Sequence, residues 1–67
     1  MSDTTQFTVY WPNGVREVIR GWSLANALEH EGYGQSAKLS IQIHREGNDD
    51  NYVWNQQTKS WEKKSFS

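Results

Sequence analysis

The chain contains no cysteine. A disulfide framework and a thiolate metal site are therefore excluded, and the composition suits a reducing compartment. No apolar run is long enough to span a bilayer. The opening stretch Met1–Gln6 has neither the basic nor the apolar region of a secretory signal. Charge of one sign is also missing: seven Lys and Arg against eight Asp and Glu leave a formal net charge of −1. Proteins that hold nucleic acid chiefly through its phosphates are usually strongly basic, so the balance counts against that class. At 67 residues there is room for one domain, close to the lower limit for a self-sufficient core. The expectation is a soluble cytoplasmic protein with no membrane partner. The expected organisation is a single domain over 6–64, with a disordered leader over 1–5 and a disordered tail over 65–67.

Aromatic residues are what the chain has in excess. Four tryptophans, three tyrosines and two phenylalanines stand in for scarce aliphatic side chains, and each large ring buries more area than a Leu or Val. The strongest local signal runs from Trp22 to Tyr33. Ser23 suits an N-cap, accepting from an amide of the first turn. Leu24, Ala27 and Leu28 then fall at i, i+3 and i+4, an apolar stripe on one helical face. Gly32 suits the left-handed C′ position, with Tyr33 as the C″ residue packing back on Leu28. A helix over about Leu24–Glu31 is too short to stand alone in water, so it must lie on a sheet.

Strand signals flank it. Phe7, Val9 and Trp11 alternate with Thr8 and Tyr10. Pro12-Asn13-Gly14 then offers a type I turn closed by a G1 bulge at Gly14. That loop sets Trp11 opposite Val15, Val9 opposite Glu17 and Phe7 opposite Ile19. One face then carries Phe7, Val9, Trp11, Val15 and Ile19, interrupted by Glu17, and receives the helix. A two-residue Asn13-Gly14 turn would instead pair Val9 with Val18, dividing the apolar residues less cleanly. Lys38–Arg45 alternates without a fault and predicts a third strand, with Leu39, Ile41 and Ile43 toward the core and His44 on the polar face. Gly47–Asn51 is loop chemistry. Tyr52–Trp54 and Ser60–Lys63 form a last hairpin, in which a four-residue loop sets Trp54 across from Trp61. The fold class is α+β in the order ββαβββ, one short helix on one face of a mostly antiparallel five-stranded sheet, ordered 2-1-3-4-5.

The chemistry-bearing residues are few. His30 and His44 are the only imidazoles, and neither has a glycine-flanked serine or a cysteine to activate, so the reading is non-enzymatic. Glu29-His30-Glu31 is consecutive and diverges on a helix, while Asn48-Asp49-Asp50-Asn51 lacks the spacing of an EF-hand loop, so no metal and no cofactor is expected. Gly32-Tyr33-Gly34 follows a helix instead of opening one, which suits a helix stop and not a phosphate loop.

Binding remains. The face opposite the helix is expected to be open and to carry Tyr10, Arg16, Arg20 and His44, with Trp54 or Trp61 beside them, and Trp22 is a further candidate for exposure. Surface aromatics with interleaved arginines are typical interface anchors. The expectation is a small regulatory or accessory module that binds a protein partner, as a monomer or weak homodimer. Size alone suggests a phage or mobile-element factor. The alternative is single-stranded nucleic-acid binding through the same face, by base stacking and phosphate neutralisation.

Overall fold

The computed structural model describes residues 4–64. Residues 1–3 of the expected leader and the expected tail over 65–67 lie outside the described residues, and Thr5 already belongs to the first strand. The elements are β1 (Thr5–Tyr10), β2 (Arg16–Gly21), α1 (Leu24–His30), a 3₁₀ helix (Gln35–Ser40), β3 (Ile43–Glu46), β4 (Tyr52–Asn55) and β5 (Ser60–Lys63). The fold is α+β with antiparallel pairing throughout. The strands do not form one five-stranded sheet. They divide into a three-stranded sheet in the order β2-β1-β3 and a separate β4-β5 hairpin.

The β1–β2 turn has the expected geometry. Gly14 adopts φ +92°, its N–H donates to the Trp11 carbonyl at 3.1 Å, and the Trp11 N–H donates to the Val15 carbonyl at 2.8 Å. Val9 therefore pairs with Glu17 and Phe7 with Ile19. Helix α1 is capped at both ends by local chemistry. Ser23 Oγ accepts from the Asn26 N–H at 3.2 Å, and Asn26 Oδ1 in turn accepts from the Trp22 N–H at 2.9 Å. At the far end Tyr33 N–H reaches the Leu28 carbonyl and Gly32 N–H the Glu29 carbonyl, both at 3.0 Å, the paired bonds of a Schellman stop.

The core lies between α1 and the sheet: Val9, Ile19, Leu24, Ala27 and Leu28, flanked by partly buried Phe7, Trp11, Ala37 and Ile41. Gly21 lets the helix come close, since a Cβ there would stand 2.6 Å from the Ala27 nitrogen. Glu17, the charge that β1–β2 pairing sets beside Val9 on this face, is not left bare. Its Oε1 accepts from Trp11 Nε1 at 3.0 Å and from the Tyr33 hydroxyl at 2.7 Å, which satisfies a carboxylate beside an apolar core. The Tyr33 ring thus packs on Trp11, with centroids 4.9 Å apart, where Leu28 was expected. Val15 is half exposed at the bulge and does not join the core.

The third strand differs most from expectation. Residues 35–40 wind into a 3₁₀ helix after Gly34, so Leu39 points outward at 90 % exposure. The residues that pack are Ala37, within this helix, and Ile41, the extended residue just past its end. Gln42 is then a bulge. Its N–H donates to the Tyr10 carbonyl at 3.1 Å, although the register partner of Tyr10 is Ile43. This extra residue reverses the alternation. Ile43 comes to lie opposite Tyr10, Arg45 opposite Thr8, and His44 opposite Val9.

Candidate functional site

Directly paired residues share a face of an antiparallel sheet, so the face away from α1 carries Gln6, Thr8 and Tyr10 of β1, Arg16, Val18 and Arg20 of β2, and Ile43 and Arg45 of β3. It was expected to be open. At the end near the β1–β2 turn it is closed, by the loop after β3 and by the hairpin. Thr8 and Tyr10 have no exposed surface. Thr8 Oγ1 donates to the Gly47 carbonyl at 2.6 Å and accepts from the Asp49 N–H at 2.8 Å. The Tyr10 hydroxyl reaches Asp49 Oδ2 at 2.7 Å and the Asp49 carbonyl at 2.9 Å. Arg16 Nε and Nη2 also donate to that carbonyl, at 2.9 and 2.7 Å, and Nη2 donates to Asn48 Oδ1 at 2.6 Å. The hydrogen bond from Tyr10 holds the Asp49 carboxyl below its ordinary range, aided by Asn51 and opposed by desolvation. Burial, with the bond to Asp49 next, pushes the Tyr10 hydroxyl up.

The hairpin seats over the Tyr10 ring. Tyr52 and Trp61 meet it edge-on, with centroids 5.0 and 4.8 Å away, and Trp54 meets Trp61 at 5.6 Å. Trp61 Nε1 donates to the Trp11 carbonyl at 2.7 Å. Trp54 lies over Gly14, where an added Cβ would come within 3.1 Å of the ring. The side-chain amide of Gln42 completes the attachment. It donates to the Trp61 carbonyl at 3.0 Å and accepts from the Trp61 N–H at 2.9 Å, taking the place of a strand residue between the two sheets.

Of the residues singled out for binding, the structure therefore brings Tyr10, Trp54 and Trp61 together, as one interior cluster. Tyr10 is not on an open surface, and both hairpin indoles are half-buried. Arg16 is exposed but committed to the Asn48–Asp49 loop. His44 is exposed on the opposite, helix-side face, because the Gln42 bulge turned it over. Arg20 stays exposed on the expected face, opposite Gln6, and forms no ion pair or side-chain hydrogen bond among the described residues.

What is left uncovered is the other end of β2. Val18 is 36 % exposed and Arg20 is exposed. Trp22, just past the strand end, is 61 % exposed, the most accessible aromatic side chain among the described residues. Its backbone is nonetheless fixed, by the bond from its N–H to Asn26 on one side and by the close approach of Gly21 to α1 on the other. Arg45 is the residue on this face that sequence reasoning missed. It lies over the Tyr52 ring at 5.4 Å and donates to the Tyr52 hydroxyl. Only the bulge at Gln42 puts it there.

Among the described residues no group of three or more His, Asp or Glu side chains is placed to hold a metal ion, no pocket forms, and no helix is long and apolar enough to cross a membrane. Comparison with protein-family models, with curated proteins and with solved structures finds no match to this chain.

Proposed function

We propose that the protein is a non-enzymatic binding module that engages another protein through the uncovered end of β2, at Val18, Arg20 and Trp22. The observation that carries this reading is Trp22: a large ring mostly in solvent on a backbone held from both sides. Exposed tryptophan and arginine dominate interface energetics, and a rigid anchor loses little entropy when it docks. The reading moves the centre of the site from Tyr10, Trp54 and Trp61, whose rings support the fold, to the strand end.

A test compares capture of binding proteins by the wild-type chain and by a Trp22→Ser, Arg20→Gln variant. Loss of a central aromatic anchor weakens binding by about 30-fold or more, so proteins retained by the wild type should be lost from the variant. A Lys59→Gln control, changed in the hairpin turn, should keep them. Equal retention by the double variant would exclude this site. Single-stranded nucleic acid is the second reading, because Trp22 could stack a base while Arg20 meets a phosphate. One arginine unpaired among the described residues, on a chain of net charge −1, supports it weakly. It predicts binding that falls steeply with salt.

A further inference from the structure

Resting on that reading of the β2 end, we propose that β2 takes up an extended acidic segment of the partner as an added strand, with a carboxylate of the segment against Arg20. The backbone supplies the first half of the argument. Trp11 and Val15 close the turn as a hydrogen-bonded pair, and in an antiparallel ladder such pairs alternate with non-bonded ones. Glu17 and Ile19 therefore direct their N–H and C=O groups to β1. Arg16, Val18 and Arg20 direct theirs outward, and β2 ends the sheet on that side. The alternation is verified across β1, where the carbonyls of Tyr10 and Gln6 point the other way and accept from Gln42 and Gly47 at 3.1 and 2.6 Å. The sheet's other edge is less available. Strand β3 has four residues against six in β2, and the Arg45 guanidinium occupies the outward carbonyl of His44 at 3.2 Å.

Charge supplies the second half. An open strand edge invites pairing with a copy of itself, and cationic side chains on the edge are one protection. In β2 the protection is systematic. A second β2 added antiparallel must match even positions with even ones to keep the faces aligned. Every such register that pairs three or more residues sets an arginine opposite or diagonal to an arginine of the other copy. At register sum 36 Arg16 meets Arg20, at 40 Arg20 meets Arg20, and at 34 and 38 like arginines are diagonal. Like charges so placed disfavour the pairing, whereas opposite charges favour it. An acidic strand turns the same arrangement from repulsive to attractive. Arg16 is already held by the Asn48–Asp49 loop, so Arg20 is the cation that meets the incoming carboxylate, with Trp22 two positions further on to take an apolar side chain.

The experiment is an amide NMR titration of the full chain with three blocked octapeptides: alternating aspartate and valine, alternating lysine and valine, and the aspartate–valine peptide with every backbone nitrogen methylated. The expected result is that the acidic peptide shifts the amides of Arg16, Val18 and Arg20 and slows exchange of the Val18 N–H about tenfold. The other two peptides should leave these signals in place, and Arg20→Gln should weaken the acidic peptide by about 2- to 5-fold. Four results would each overturn the proposal: equal binding of the methylated peptide, equal binding of the lysine peptide, no shift with any peptide, and β2 shifts that depend on protein concentration alone, which would assign the edge to a second copy. The first three leave the Trp22 site standing, since that reading fails only if the Trp22→Ser, Arg20→Gln variant still retains the captured proteins.

Discussion

Tyr10 donates its hydroxyl to a residue 39 positions further along the chain, and its ring is covered by Tyr52 and Trp61 of the hairpin. Read locally, a tyrosine between Thr8 and Arg16 on the polar side of a hairpin is a surface residue. Nothing nearby announces that Asp49 returns to accept from it. The same bond sets an expected pH dependence. Asp49 is held below its ordinary 3.8, so its contribution is present above about pH 4 and is lost as the pH falls through the lowered value. Tyr10 is held above its ordinary 10.0, so its contribution is present below pH 10 and is lost as the pH rises past the raised value. Tyr10→Phe should cost about 1–3 kcal/mol near neutral pH and flatten both arms, measured as urea midpoints from acid to alkaline pH. Arms of unchanged steepness in the variant would show that the Tyr10–Asp49 bond is not what couples stability to protons. Arg20 and Trp22 were legible as candidates because their exposure needs no distant partner to explain it.

At the scale of elements, what was legible is what is encoded locally. Ser23, Gly32 and Tyr33 cap α1 from within eleven consecutive positions, and Pro12-Asn13-Gly14 sets the β1–β2 register through its own turn geometry. The four-residue turn after β4 likewise brings Trp54 opposite Trp61, with Lys59 at φ 55° and Asn55 Oδ1 accepting from Gln57 and Thr58. The segment 35–46 was not legible, because Leu39, Ile41 and Ile43 satisfy a strand pattern although residues 35–40 wind into a 3₁₀ helix. Ala37 of that turn packs against the core beneath α1, and the Gln42 bulge then reverses the side chains of β3. The packing of α1 carries its own prediction. Leu28 is fully buried beneath the helix, so Leu28→Ala should cost about 2–5 kcal/mol by opening a cavity, a large share of the stability of so small a domain. A melting temperature close to that of the wild type would refute the helix-on-sheet core.

For the molecule as a whole, the decisive feature is that two small sheets overlap at one end only. The described chain is long and thin, 41 × 25 × 13 Å, because the hairpin rests on Tyr10, Trp11 and Gly14 and extends the molecule where a single five-stranded sheet would have broadened it. The overlap closes the face at the turn end and leaves Val18, Arg20 and Trp22 open at the other. That division was out of reach of the sequence, since it depends on Gln42 bonding to Trp61 and on Trp61 bonding to Trp11 across 50 positions. Hydrogen exchange of the four indole N–H groups tests it most directly. The account predicts slow exchange at Trp61, which donates to Trp11, and at Trp11, which donates to Glu17, with Trp22 exchanging almost as fast as free indole. Exchange at Trp61 as fast as at Trp22 would contradict it, showing a hairpin detached from the sheet and Tyr10 open to solvent.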